Sequence, residues 1–174
     1  MQEGGDVDLR LIKCARYKGT VEEAKALLAD GCELEAKNKY GNTALFYAIV
    51  SSNVPVMNYL IDQGASLTTR NKEGSTLLHV AASGHLTERV VELLRRGADP
   101  NVQDLSGRTP LHDSLTHSCP SLEFIQAFLR AGADPTIEDL DGETAITACD
   151  SFGNEPALFL LKSAAKTFEQ SRGI

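Results

Sequence analysis

Residues 74–97 read Gly-Ser-Thr-Leu-Leu-His-Val-Ala-Ala-Ser-Gly-His-Leu-Thr-Glu-Arg-Val-Val-Glu-Leu-Leu-Arg-Arg-Gly. Thr76 stands just before an apolar run, where a hydroxyl accepts from the free backbone N–H groups of a helix start. The run from Leu77 to Ala82 predicts a short first helix that ends in a tight turn at Ser83 and Gly84. A second, amphipathic helix then runs through Val90, Val91, Leu93 and Leu94. Gly97 closes it, at the position where a left-handed C-cap favours glycine. The following stretch from Ala98 to Ser106 carries Asp, Asn and Pro and has no helical periodicity, so it reads as an extended β-turn, or finger.

The same plan recurs along the chain. Gly41-Asn-Thr-Ala-Leu, Gly74-Ser-Thr-Leu-Leu, Gly107-Arg-Thr-Pro-Leu and Gly142-Glu-Thr-Ala-Ile follow one another at 33, 33 and 35 residues. Gly31, Gly64, Gly97 and Gly132 form a second ladder with the same three spacings. Two motifs sharing a period of this size mark a stacked-repeat architecture. Thr43, Thr109 and Thr144 repeat the capping position of Thr76, and Pro110 takes the first helical position, where a missing N–H costs nothing. The extra two residues fall between Thr109 and Gly132 and are placed in the loop 116–121. Upstream, Leu11 to Ala15 and Val21 to Leu28 give a helix pair without a leading finger, the look of an N-terminal cap. Downstream, the fifth copy lacks the Gly-Ala-Asp closure and passes into the polar segment Lys162 to Lys166, suited to a capping end that faces water.

Bulk properties agree with a Leu-, Val-, Ile- and Ala-rich core. Hydrophobic residues make up 42% of the 174, aromatics only 6%, and there is no tryptophan. A formal net charge of -7 disfavours a nucleic-acid backbone or an anionic membrane as partner. Neither a signal-peptide pattern nor an apolar run of membrane-spanning length is present. Cys14, Cys32, Cys119 and Cys149 stand at wide spacings beside apolar stretches, which predicts four reduced, mostly buried thiols and a cytoplasmic or nuclear address.

Gly-x-Thr-Pro-Leu-His at 107–112, Leu78-His-Val-Ala-Ala82, Gly84-His85 and Gly-Ala-Asp-Pro at 97–100 and 132–135 resemble the ankyrin repeat. The resemblance covers residues 7 to 165. It implies an all-α solenoid, one domain over 1–174, built of five helix-turn-helix repeats joined by β-turn fingers. The repeats fall at about 7–37, 38–70, 71–103, 104–138 and 139–165, with a C-terminal tail at 166–174. Phe46 replaces the family's histidine in the second repeat, and Thr147 does so in the fifth. Asp113 and Ser114 replace an alanine pair in the fourth, and Cys149 and Asp150 replace one in the fifth. By the same resemblance, His79 and His112 bond a threonine hydroxyl or finger backbone, and His85 belongs to the turn.

Signals for chemistry are weak. His79 and His85 are six apart and His112 and His117 five, so neither pair gives the i, i+4 face of a zinc helix. His117 beside Cys119 is a single His/Cys pair without a second, and a metal site is not expected. His112-Asp113-Ser114 cannot form a relay, because consecutive helical side chains diverge by about 100°. The acidic stretch 138–143 lacks the spacing of a calcium loop and falls where a finger belongs. No cofactor and no enzymatic activity are expected.

What remains is a surface. The resemblance implies a concave face whose exposed finger positions are Lys39, Tyr40 and Asn42; Lys72, Glu73 and Ser75; Leu105, Ser106 and Arg108; and Leu140, Asp141 and Glu143. The ends of the first helices add Val50 and Ser51, Ser83, and Thr116 and His117. The first two fingers are rich in Lys and Arg, whereas the last carries Glu138, Asp139, Asp141 and Glu143 with no base. The expected role is that of an adaptor, scaffold or regulator, monomeric, that binds another protein there. Tyr40 and Leu105 serve as apolar anchors, and the acidic end prefers basic segments. A targeting, regulatory or inhibitory subunit of an enzyme, and a secreted microbial effector, stay open as alternatives.

Overall fold

A computed structural model describes residues 8–115 and 118–172. Among the described residues every regular element is a helix, and the helices come in pairs. They are α1 (Arg10–Arg16) with α2 (Val21–Ala29), α3 (Ala44–Val50) with α4 (Val54–Asp62), α5 (Leu77–Ser83) with α6 (Thr87–Arg95), α7 (Pro110–Asp113) with α8 (Leu122–Arg130), and α9 (Ala145–Asp150) with α10 (Glu155–Arg172). The turn inside a pair is tight enough to drive Lys18, Ser52 and His85 into the left-handed region, at φ of 59°, 54° and 49°. Thr116 and His117, assigned from sequence to the partner-binding face, lie outside the described residues.

The threonines cap as expected. Thr43 Oγ1 accepts from the Phe46 N–H at 3.4 Å, Thr109 Oγ1 from His112 at 3.3 Å and Thr144 Oγ1 from Thr147 at 3.2 Å. At the other end, Gly31, Gly64, Gly97 and Gly132 close the second helices at φ between 86° and 90°. Each of these glycines stands ten residues after its helix begins. The position ten after Glu155 is Ala165, a strong helix former. Helix α10 therefore runs on to Arg172, and residues 166–172, read from sequence as a tail, continue the helix. Its buried residues Ala157, Leu158, Leu161 and Ala165 fall on one stripe, while Phe159 is 75% exposed.

The chain forms two compact units, one ending at Lys72 and one starting at Glu73. In the first, α1 packs on α3 and α2 on α4, around Leu11, Leu45, Ile49 and Leu60. In the second, the first helices α5, α7 and α9 form one row and the second helices α6, α8 and α10 another. Leu78, Leu93, Leu111, Ile125 and Leu161 fill the space between the rows, together with Phe124 and Phe128, whose ring centroids are 5.3 Å apart. Helix α7 is only four residues long. Ser114, standing in place of an alanine, turns its hydroxyl back to the Leu111 carbonyl at 2.7 Å, a bond that competes with helix continuation. Helix α8 keeps the standard offset to Gly132, so the inserted residues lie before Leu122.

Candidate interaction surface

Three of the fingers are built on an Asx turn. Asn38 Oδ1 accepts from the Tyr40 and Asn42 N–H groups at 2.9 and 3.1 Å. Asp104 Oδ1 does the same for Ser106 and Arg108 at 2.8 and 3.0 Å, and Asp139 Oδ1 for Asp141 and Glu143, both at 2.9 Å. A local side-chain bond of this kind fixes a turn without help from a sheet.

Neighbouring tips are then joined through backbone. In the first unit the Lys72 N–H donates to the Tyr40 carbonyl at 3.0 Å. In the second, the Leu105 N–H donates to Glu73 at 3.1 Å and Leu140 to Ser106 at 3.0 Å. The approach is close enough to demand glycine. A Cβ on Gly107 would sit 2.8 Å from the Leu140 nitrogen, and its φ is +80°.

His79 fastens a first helix to the next finger. The Arg108 carbonyl can only accept, so the 2.9 Å contact puts the ring proton on Nε2. That leaves Nδ1 to accept from the Thr76 N–H at 3.1 Å and the Thr76 hydroxyl at 2.8 Å. His85 Nε2 likewise donates to the Ser114 carbonyl at 2.7 Å, one repeat along. These are the structural roles that the sequence pattern implies.

His112 departs from that pattern. Its Nε2 lies 3.8 Å from Asp139 Oδ2, too far for a hydrogen bond, and its Nδ1 has no partner among the described residues. Burial pushes the ring's pKa down, against the pull of the Asp139 charge. Burial alone would raise the Asp139 carboxyl, but the Glu143 and Asp141 amides and the Arg108 guanidinium hold it below the usual carboxylate range. His112, Asp139 and Glu143 bring one ligand atom each within 4.8 Å of one another. Both Asp139 oxygens are already engaged, however: Oδ1 by two amides and Oδ2 by Arg108 Nε at 3.4 Å. A cation at Oδ2 would displace the guanidinium. The cluster is a clamp between successive fingers.

The positions assigned from sequence therefore divide. Lys39, Tyr40, Val50, Lys72, Glu73, Ser83, Leu105, Ser106, Leu140, Asp141 and Glu143 are exposed. Ser75 is half-buried, and so is Ser51, whose hydroxyl donates to the Arg16 carbonyl at 2.8 Å. Arg108 is half-buried in the clamp just described. Asn42 corrects the sequence reading: it is 9% exposed, because the residue after Gly41 turns inward beneath the tip. Asp139 is a second correction. It is 7% exposed and matched by Arg108, so the solvated acids of the last finger are Glu138, Asp141 and Glu143. Leu140 at 79% and Leu105 at 70% are exposed apolar side chains on adjacent tips. Lys39 covers part of Tyr40, its Nζ 5.0 Å from the ring centroid.

Comparison with family models decides what this geometry belongs to. A model for three copies of ankyrin repeats matches residues 11–104, and a single ankyrin-repeat model matches 106–140. The chain belongs to the ankyrin-repeat family. Ankyrin repeats are in general protein–protein interaction modules. The matched residues stop at 140, so the fifth ankyrin-like helix pair, α9 and α10, rests on the structure. No match to a curated protein was found. Among the described residues no helix is long and apolar enough to cross a membrane.

Proposed function

We propose that this ankyrin-repeat chain works by holding another protein on its fingertips and the adjoining ends of its first helices, and that it contributes no chemistry of its own. The observation that carries the reading is the pair Leu105 and Leu140, exposed on successive tips beside Asp141 and Glu143. Large apolar side chains left in water at rigid, neighbouring positions are what an interface needs as anchors, and the acids around them set orientation and on-rate. The partner segment that fits combines apolar side chains with lysine or arginine. Tyr40 and Lys39 offer a separate anchor on the first unit. An ordinary specific interface buries about 800 Å² per partner, more than one tip supplies, so the contact spans several fingers. Whether the outcome is scaffolding, targeting or inhibition of an enzyme depends on the partner.

Affinity capture followed by mass spectrometry tests this, comparing the intact chain with Leu105→Ala/Leu140→Ala, Asp141→Lys/Glu143→Lys and a control on the second-helix side, Val91→Ala. Circular dichroism confirms that each variant is folded. The fingertip variants are expected to lose a protein that the intact chain and the control retain. Equal recovery by all four would overturn the assignment.

A further inference from the structure

Cys119 and Cys149, thirty residues apart in sequence, bring their sulfurs to 3.8 Å. Cys149 lies on α9 and is fully buried. Cys119 is half-buried in the irregular connection between α7 and α8, where no helical hydrogen bonds fix its backbone. Asn154, in the turn before α10, donates through Nδ2 to the Cys119 sulfur at 3.3 Å and orients it. The remaining cysteines lack such an arrangement: Cys14 Sγ donates to the Thr20 carbonyl and Cys32 Sγ to the Asp8 carboxylate.

We infer that Cys119 and Cys149 form an oxidation site, at which a hydroperoxide converts the two thiols into an intrachain disulfide linking the fourth repeat to the fifth. Cys119 reacts first, because it is only half-buried whereas Cys149 is fully buried. Its thiolate attacks the terminal oxygen of the hydroperoxide; an S–O bond forms, the O–O bond breaks, and the alcohol leaves with the proton Cys119 gave up. Cys149 then attacks the sulfur of the resulting sulfenic acid; the S–S bond forms, the S–O bond breaks, and water leaves with the Cys149 proton. Two thiols lose two electrons, and the hydroperoxide is reduced to an alcohol and water. Cys149 suits the second role. Burial, with Cys119 beside it, pushes its thiol up to about 12, so it stays unreactive until an electrophilic sulfur stands next to it. Closing from 3.8 Å to a bond of about 2.05 Å asks for a side-chain rotation and a small shift of the Cys119 connection.

The test treats the folded, reduced chain with a small excess of hydrogen peroxide, blocks remaining thiols under denaturing conditions and maps the peptides by mass spectrometry. Cys14 and Cys32 are expected to be alkylated. The peptides carrying Cys119 and Cys149 are expected as one linked species, lighter by two hydrogens than their sum and split by a reductant. Cys149→Ser should leave a sulfenic acid on Cys119 that a 1,3-dione traps, and Cys119→Ser should leave Cys149 as a free thiol. Full alkylation of all four cysteines would overturn the inference. So would Cys119 passing to the sulfinic acid while Cys149 stays free, or a link that joins two chains. The wild-type map decides the pairing by itself, so a variant that fails to fold does not shelter the proposal.

Discussion

His79 and His112 occupy equivalent places in successive repeats, yet only His79 completes its hydrogen bonds. Thr76 is thus both the cap of α5 and the anchor of the ring that reaches Arg108. Thr76→Val should cost about 1–2 kcal/mol in urea-monitored unfolding, with loss of the His79 contact to the next finger. Asp113 points the other way. Burial, reinforced by the Asp104 charge, pushes its carboxyl up to about 6. A raised carboxyl favours the protonated folded state, so its contribution is fully present below the ordinary value of 3.8 and lost as pH rises through about 6. Asp113→Asn should therefore stabilise the chain at pH 7 by on the order of 2 kcal/mol. The difference should vanish as pH falls to 4; a constant difference would contradict the assigned cause. At this scale the sequence was readable wherever the physics is local, as in the threonine caps and glycine closures. Asn42 and Asp139 were not, because Asn42 turns inward beneath its own tip and Asp139 is buried against Arg108 of the preceding finger, 31 residues away.

Among the elements, the fingers carry the tightest constraint. Gly107→Ala adds a Cβ 2.8 Å from a backbone nitrogen at φ of +80°. It should cost about 2 kcal/mol or more and loosen the Leu140 tip. Gly142→Ala, at φ of +78° with no atom within 4 Å of the added carbon, should cost only the conformational part, about 1 kcal/mol. Similar losses for the two, measured by chemical denaturation, would show that finger-to-finger packing contributes little. The helix pairs were legible from the period, and the spacings of the two ladders put the insertion between Thr109 and Gly132, in the loop 116–121, with which the start of α8 at Leu122 agrees. The reach of α10 was not anticipated. Residues 166–174 read as a tail from the sequence, but no glycine stands where the other second helices stop, and Ala165 carries the helix on to Arg172. The meeting of Cys119 and Cys149 was equally hidden, since it depends on how the inserted connection folds back against α9.

For the molecule as a whole, stability is a sum over repeats and their contacts with neighbours, and the boundary of the two compact units falls in the second finger, between Lys72 and Glu73. In the proposed function, what matters is what those repeats leave in water: Leu105 and Leu140 on adjacent tips, acids beside them, and a net charge of -7. Asp141→Lys/Glu143→Lys should slow association with the captured partner and flatten its dependence on salt, leaving dissociation little changed. The most direct measurement is hydrogen exchange of the intact chain with and without that partner. The account predicts added protection at 104–108 and 139–143 and none on the exposed side of α6 and α8. Protection confined to the second helices, with the tips unchanged, would contradict it.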